Sequence, residues 1–227
     1  MRLILFDIDG TLIATGGAGM RALGRAFLET CGLAIPPEVQ AAGMTDPLIV
    51  REAFRLAGVA GQAWAAHEEV IWSLYPAYLE QEMTSVCTRS GLLPGVLELL
   101  KGLVDKDVRL GLLTGNLETT ARIKLHPFGL NEFFPIGAYG SDCADRCRLG
   151  AVALERARRH YGLDFRPEAT WFVGDTPRDI AAARATGARV LAVGTGPMTR
   201  TVLEEFLPDA ALDHLGELEA TLEVLLG

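Results

Sequence analysis

The chain begins with a short unbroken apolar run, Leu3 to Phe6, that stops at Asp7. A run without polar alternation predicts a strand covered on both faces, as in a parallel sheet. From Ala18 to about Met83 the apolar spacing becomes helical. Met20, Leu23, Phe27 and Leu28 recur on one face, Asp46-Pro47 reads as a cap and first helical position before Leu48, Ile49, Ala53 and Phe54, and Gln62 to Met83 forms a longer amphipathic stretch. After Leu93-Pro94-Gly95 helices and buried strands alternate. The pattern predicts helices over Val96 to Val104, near Glu118 to Leu125, over Leu149 to Tyr161 and from Pro177 onward. Between them lie strands over Val108 to Leu113, Thr170 to Val173 and Arg189 to Val193, with a weaker one at Pro135 to Tyr139. This order predicts an α/β fold, a mainly parallel sheet with helices on both faces, interrupted by an all-helical insertion.

In such a sheet ligands bind outside the carboxyl ends of the strands, so polar residues just after strands carry the most weight. Asp7, Asp9, Thr114 and Asp175 hold those positions. In Asp7-Ile8-Asp9-Gly10-Thr11 two carboxylates one residue apart repel each other, and a hard divalent cation among oxygen ligands relieves that repulsion. A polar turn with a local Asx hydrogen bond is the plainer reading. Thr114-Gly115-Asn116 precedes a helix, so its hydroxyl and free backbone N–H groups suit a phosphate, although taken alone such a segment is more often a plain helix cap. In Gly174-Asp175-Thr176-Pro177-Arg178-Asp179, Asp179 falls in a first helical turn, where the helix dipole favours an acid whatever the function. Asp175, between strand and cap, is costly to bury without a cation or partner.

Composition narrows the partners. The 227 residues are 49% hydrophobic and 22% charged, with a net charge of -8 and a pI near 5.1, which disfavours nucleic acid and anionic membranes and favours a small-molecule substrate. The early apolar run is broken by acids too soon for a signal-peptide core or a membrane span, and a cytoplasmic location is expected by default. Cys31, Cys87, Cys143 and Cys147 lack zinc-knuckle spacing and read as reduced, structural thiols. Lysine occurs only at 101, 106 and 124. Lys101 and Lys106 sit in a surface-like helix and the Asp105-Lys106-Asp107 turn, whereas Lys124 lies about two helical turns past Thr114-Gly115-Asn116, within reach of it if its side chain leans toward the helix N-terminus. A helix-surface lysine is the competing reading. His67, His126, His160 and His214 form no motif.

The four segments, in this order, resemble the haloacid dehalogenase superfamily, which carries four such motifs on a Rossmann-like core. Asp7-Ile8-Asp9-Gly10-Thr11 matches the first motif in full, Thr114 the second, and Gly174-Asp175 through Asp179 the fourth. The helical insertion resembles the cap of the phosphoglycolate phosphatase-like branch, as does Gly43-Met44-Thr45-Asp46. The resemblance implies a Rossmann-like core at 1–14 and 90–227 with a helical cap at 15–89, in a monomer or homodimer. It implies a Mg²⁺-dependent phosphatase acting on a small phosphate monoester, phosphoglycolate-like or a sugar phosphate. Asp7 is then the nucleophile that becomes phosphorylated, and Asp9 the acid and base. Mg²⁺ is held by Asp7, the Asp9 backbone carbonyl and Asp175, with Asp179 orienting a ligand water or Lys124. Thr114, Gly115, Asn116 and Lys124 neutralise the phosphoryl oxygens.

One departure stands out. Many relatives place the third-motif lysine shortly before the fourth motif, where this chain reads Asp145-Arg146-Cys147-Arg148, so either Lys124 or Arg148 supplies that cation, and Lys124 is favoured. A haloacid dehalogenase shares the nucleophile but needs neither metal nor Asp9. A phosphotransferase such as a phosphoglucomutase shares the whole set. A signalling receiver lacks the helical insertion.

Overall fold

The computed structural model describes residues 1–86 and 91–227, with the side chains of 85 and 86 left aside. Six strands, β1 (Arg2–Phe6), β2 (Val108–Leu113), β3 (Ile136–Ala138), β4 (Thr170–Gly174), β5 (Arg189–Val193) and β6 (Ala210–Leu212), form one sheet in the order β3-β2-β1-β4-β5-β6. Every pairing is parallel. The order reverses at β1, so the crevice between the ends of β1 and its neighbours is where such a sheet holds a ligand.

The unbroken apolar run of β1 has the expected consequence. Along β1, Ile4 and Phe6 enter one core with Val96, Leu99, Leu112 and Phe134, while Leu3 and Leu5 enter another with Leu149, Phe172, Ile180 and Val190. The first core lies under α4 (Val96–Val104), α5 (Glu118–Leu125) and α9 (Leu218–Leu226), the second under α6 (Leu149–Tyr161), α7 (Pro177–Thr186) and α8 (Arg200–Glu204). Period-two side chains thus bury both faces of one strand.

Between β1 and α4 lie α1 (Ala18–Cys31), α2 (Asp46–Leu56) and α3 (Trp64–Val86), whose apolar stripes meet in a third cluster around Phe27, Val50, Phe54, Ile71, Tyr75 and Leu79. Phe54 stands 5.4 Å from Phe27 and 5.6 Å from Trp64, ring centre to ring centre. Helix α2 starts one residue earlier than its sequence suggests: Thr45 is the N-cap, its hydroxyl accepting the Leu48 N–H at 3.3 Å, and Asp46 is already helical. The expected segment boundary at 89/90, like Cys87, lies outside the described residues. Cys31, Cys143 and Cys147 are free thiols. No helix among the described residues is long and apolar enough to cross a membrane.

Candidate active site

Asp7 is the first residue beyond β1 and is 6% exposed, its N–H bonded to the Val173 carbonyl at 2.9 Å. The chain then turns through Gly10 at a φ of 78°, a conformation that favours glycine, and a Cβ there would collide with the Asp175 carboxylate. Asp175 leaves β4 and Asp179 lies in the first turn of α7, both buried. Carboxylate oxygens of Asp7, Asp175 and Asp179 all fall within 4.8 Å of one another.

Three buried acids this close oppose one another's ionisation. Burial, offset by Arg146 and reinforced by Asp179 and Asp9, raises the Asp7 carboxyl above its ordinary range. Burial together with Asp179 and Asp7 raises Asp175 well above its own, against a hydrogen bond from the Thr11 hydroxyl at 3.0 Å. A hard divalent cation fits this all-oxygen set, since it takes carboxylate ligands and removes the repulsion that protonation would otherwise have to remove.

The neighbouring cation is one the sequence reading passed over. Arg146, buried in the 3₁₀ turn before α6, places Nη2 3.2 Å from Asp7 and in a short ion pair with Asp179. Its Nη1 donates to the Gly43 carbonyl at 3.3 Å, and its buried Nε has no partner among the described residues, so the guanidinium keeps an unspent donor. Arg148, the alternative weighed from sequence, is exposed. The Asp145-Arg146-Cys147-Arg148 string gave no direction to either side chain. The 3₁₀ turn, which Asp145 opens by accepting the Cys147 N–H at 3.0 Å, turns Arg146 inward.

Lys124 reaches the site as expected. Its Nζ, 2.6 Å from Asp9 Oδ2 and 2.6 Å from Asn116 Oδ1, is nearly buried, and α1 makes room for it at Gly19, where a Cβ would lie 2.9 Å from Nζ. Burial pushes the Asp9 carboxyl up, but Lys124, Asn116 and Thr15 outweigh it and hold the group below the usual range. Asp179 therefore meets Arg146 rather than Lys124, whose charge is taken by Asp9.

Thr114 is not a cap. Its hydroxyl accepts from Asn116 Nδ2 at 2.8 Å, and Asn116 Nδ2 also donates to Asp9 Oδ2 at 2.9 Å. Helix α5 starts only after Leu117, whose N–H goes 3.0 Å to Asp46 Oδ2, a carboxylate supplied by the helical insertion. Gly115 lies against the backbone of Met44 and its carbonyl accepts the Asp46 N–H at 2.8 Å, while the Thr45 hydroxyl donates to the Ala144 carbonyl at 2.7 Å. Gly43 to Asp46 are thereby laced across the strand ends and form one wall of a cavity of about 470 Å³ whose other walls include Asp7, Asp9, Thr114, Lys124, Arg146 and Asp175.

Asp46 carries a stability cost. Burial, opposed by Lys124 and the Leu117 N–H, raises its carboxyl from 3.8 to about 6. The native state then binds more protons than the unfolded chain between those values, so this group's contribution to stability falls as pH rises through that window, by about 3 kcal/mol at most. Asp46→Asn keeps an acceptor for Leu117 without the charge. Its melting temperature is expected to exceed the parent's above pH 6, with the gap closing below pH 4; calorimetry across that range checks it, and a gap independent of pH would refute it.

Three buried acids, an arginine and a lysine–aspartate pair around the carboxyl ends of β1, β2 and β4 define the class: an aspartate-centred enzyme on a Rossmann-like sheet. The model of the haloacid dehalogenase-like hydrolase family matches residues 1–187, and the chain belongs to that family. It is similar to the phosphoglycolate phosphatase of Rhodospirillum rubrum, 28% identical over 86% of this chain and 80% of that one. The phosphoglycolate phosphatase of Xylella fastidiosa is 30% identical over 82% of this chain and 77% of its own. Among solved structures, the fold is shared with CbbY from Rhodobacter sphaeroides in complex with phosphate, with a TM-score of 0.71, 20% identity, and 98% and 100% of the two chains covered. The chain is thus an enzyme of that hydrolase class.

Proposed function

We propose that the protein is a Mg²⁺-dependent phosphatase that hydrolyses a small phosphate monoester through a phosphoaspartate on Asp7. The observation that carries this reading is the placement of Asp7: buried at the end of β1, paired with Arg146, beside Asp175 and Asp179 and across from the Asp9–Lys124 pair. Asp7, Asp175 and the Asp9 carbonyl would hold the metal, with Asp179 in support, and the bound cation would supply charge neutralisation for the incoming phosphoryl group.

The remaining steps belong to side chains of this chain. An Asp7 oxygen bonds to phosphorus as the ester P–O bond breaks, Asp9 gives its proton to the departing alkoxide, and the alcohol leaves. Asp9 then takes a proton from water, whose oxygen attacks phosphorus and returns Asp7 to its free form. Thr114, the Gly115–Asn116 backbone, Lys124 and Arg146 face the phosphoryl oxygens. The Asp9–Lys124 bond has a part in timing. A phosphoryl group that draws the ammonium toward itself removes what keeps Asp9 ionised, raising its proton affinity as the acid is required.

Residues 1–14 and 90–227 are the catalytic core in this reading, and 15–89 the cap, whose Gly43–Asp46 loop lines one side of the site. Two related activities share most of the machinery. A phosphotransferase would differ only in admitting a sugar hydroxyl where water attacks; a dehalogenase would leave Asp9 and the acidic cluster without a role. Chelation is expected to abolish hydrolysis of p-nitrophenyl phosphate, Mg²⁺ to restore it, and Ca²⁺ to inhibit through its looser coordination. Full activity after exhaustive chelation, with halide released from a haloacid, would replace the phosphatase by the dehalogenase.

A further inference from the structure

Helix α1 carries a glycine that its backbone does not call for. Gly16 and Gly17, just ahead of the helix, sit at φ values of 58° and 83°, but Gly19 in the first turn does not share that left-handed conformation. Alanine is the better helix former at such a position, so a glycine there needs a reason in its surroundings. Gly24, further along the same helix, shows none: a Cβ there would meet nothing within 4 Å. At buried Gly19 a Cβ would lie 2.9 Å from Lys124 Nζ, 3.1 Å from Lys124 Cε and 3.5 Å from the Tyr75 hydroxyl.

We infer that Gly19 is a positioning residue for Lys124: the bare backbone of α1 is the wall against which the ammonium is held at its bonds to Asp9 and Asn116. For its effect on turnover the inference rests on the phosphatase reading. The ammonium has little slack, since Asp9 Oδ2 and Asn116 Oδ1 each stand 2.6 Å from Nζ. Two of its three N–H groups are thereby engaged, and in the proposed reaction the third serves a phosphoryl oxygen. Helix α1 is itself pinned, with Ala18, Ala22, Leu23, Ala26 and Phe27 buried in the cluster it shares with α2 and α3. A methyl at position 19 is therefore accommodated by the tip of the lysine, which must move aside by about half an ångström to reach van der Waals separation. That move costs folding little, because the tip is the flexible end of a long side chain. It costs chemistry much more, where a misplacement of roughly 1 Å can slow a reaction a hundredfold.

The test compares the parent, Gly19→Ala, Lys124→Ala and the double variant, with Gly24→Ala as the control for alanine in this helix. With p-nitrophenyl phosphate and saturating Mg²⁺, Gly19→Ala is expected to lower kcat at least roughly tenfold and Gly24→Ala to leave it within about twofold. Independent effects add, whereas those of a contact do not, so in the Lys124→Ala background Gly19→Ala should change kcat by less than about twofold. Should Gly19→Ala melt early, the double variant is expected to recover the melting temperature of Lys124→Ala. A further readout needs no turnover. The sequence has lysine only at 101, 106 and 124, so isotope-labelled lysine gives a side-chain NMR spectrum in which the Cε signal lost in Lys124→Ala should shift in Gly19→Ala while the others stay. An unchanged kcat or an unmoved Lys124 signal in Gly19→Ala, or an equal loss with and without Lys124, overturns the inference while leaving the phosphatase intact. Failure of the parent to hydrolyse p-nitrophenyl phosphate or any of a panel of phosphate monoesters overturns the phosphatase reading, and the Lys124 signal then decides alone whether Gly19 holds the ammonium in place.

Discussion

Asp7→Asn is expected to fold as the parent does and to lose at least about a thousandfold in turnover, the largest effect of any single substitution in the site. The amide is nearly isosteric with the carboxylate, so packing around a residue 6% exposed is preserved. It removes a charge whose burial opposes folding, and Arg146 keeps its second partner, Asp179. What disappears is the attacking oxygen. An amide cannot form the acyl phosphate, and the electrostatic surroundings that remain account only for residual stabilisation of the phosphoryl group. Circular dichroism and melting temperature establish folding, and kcat with p-nitrophenyl phosphate establishes the loss. In the parent, rapid acid quench during turnover should leave one phosphoryl group on a peptide containing Asp7. Substantial turnover by Asp7→Asn, or a phosphoryl group recovered elsewhere, defeats the covalent mechanism.

The second large effect separates the cations. Lys124→Ala is expected to cost at least roughly a hundredfold in turnover, because its ammonium serves Asp9, Asn116 and the phosphoryl oxygens together. Arg146→Ala should cost as much in turnover and destabilise as well. It would leave Asp7 and Asp179 buried without their partner, a loss of about 3–5 kcal/mol when one member of a buried pair is removed. Saturating Mg²⁺ should recover part of that stability, since a cation among the three acids does some of what the guanidinium does. Arg148→Ala, on an exposed side chain, should stay within a few-fold of the parent in both respects. Kinetics and thermal melts of the three variants, with and without Mg²⁺, decide it. A crippled Arg148→Ala beside a nearly normal Lys124→Ala would return the third-motif role to the position weighed second from the sequence.

Sequence pattern carried the sheet because parallel strands buried on both faces leave near-continuous apolar runs. Leu3 to Phe6, Val108 to Leu113 and Arg189 to Val193 stand out for that reason. It did not carry the far edge. Strand β6 is Ala-Ala-Leu and α8 spans five residues, too short for any period to register, although Leu218, Leu222 and Leu225 in α9 were spaced to be read as a helix. At the site, Asp7, Asp9, Thr114 and Asp175 were legible because strand ends fix where they point. Arg146 was not, since a 3₁₀ turn orients its side chains by local bonds rather than by a repeating spacing. Asp46 as a partner for the Leu117 N–H is a contact between residues seventy-one apart, and no local pattern announces it.

The three helices of the insertion gather around a cluster that shares no buried member with the two clusters flanking the sheet. Chemistry and shape are accordingly written on separate parts of the chain. Met20 and Ile49 can change, and the cavity with them, while Leu5, Phe6 and Val173 keep the strand ends and their acids where they are. In the phosphatase proposed above, a lineage carrying this fold is free to trade one leaving group for another by rewriting the insertion, without first solving again the problem of holding three carboxylates together.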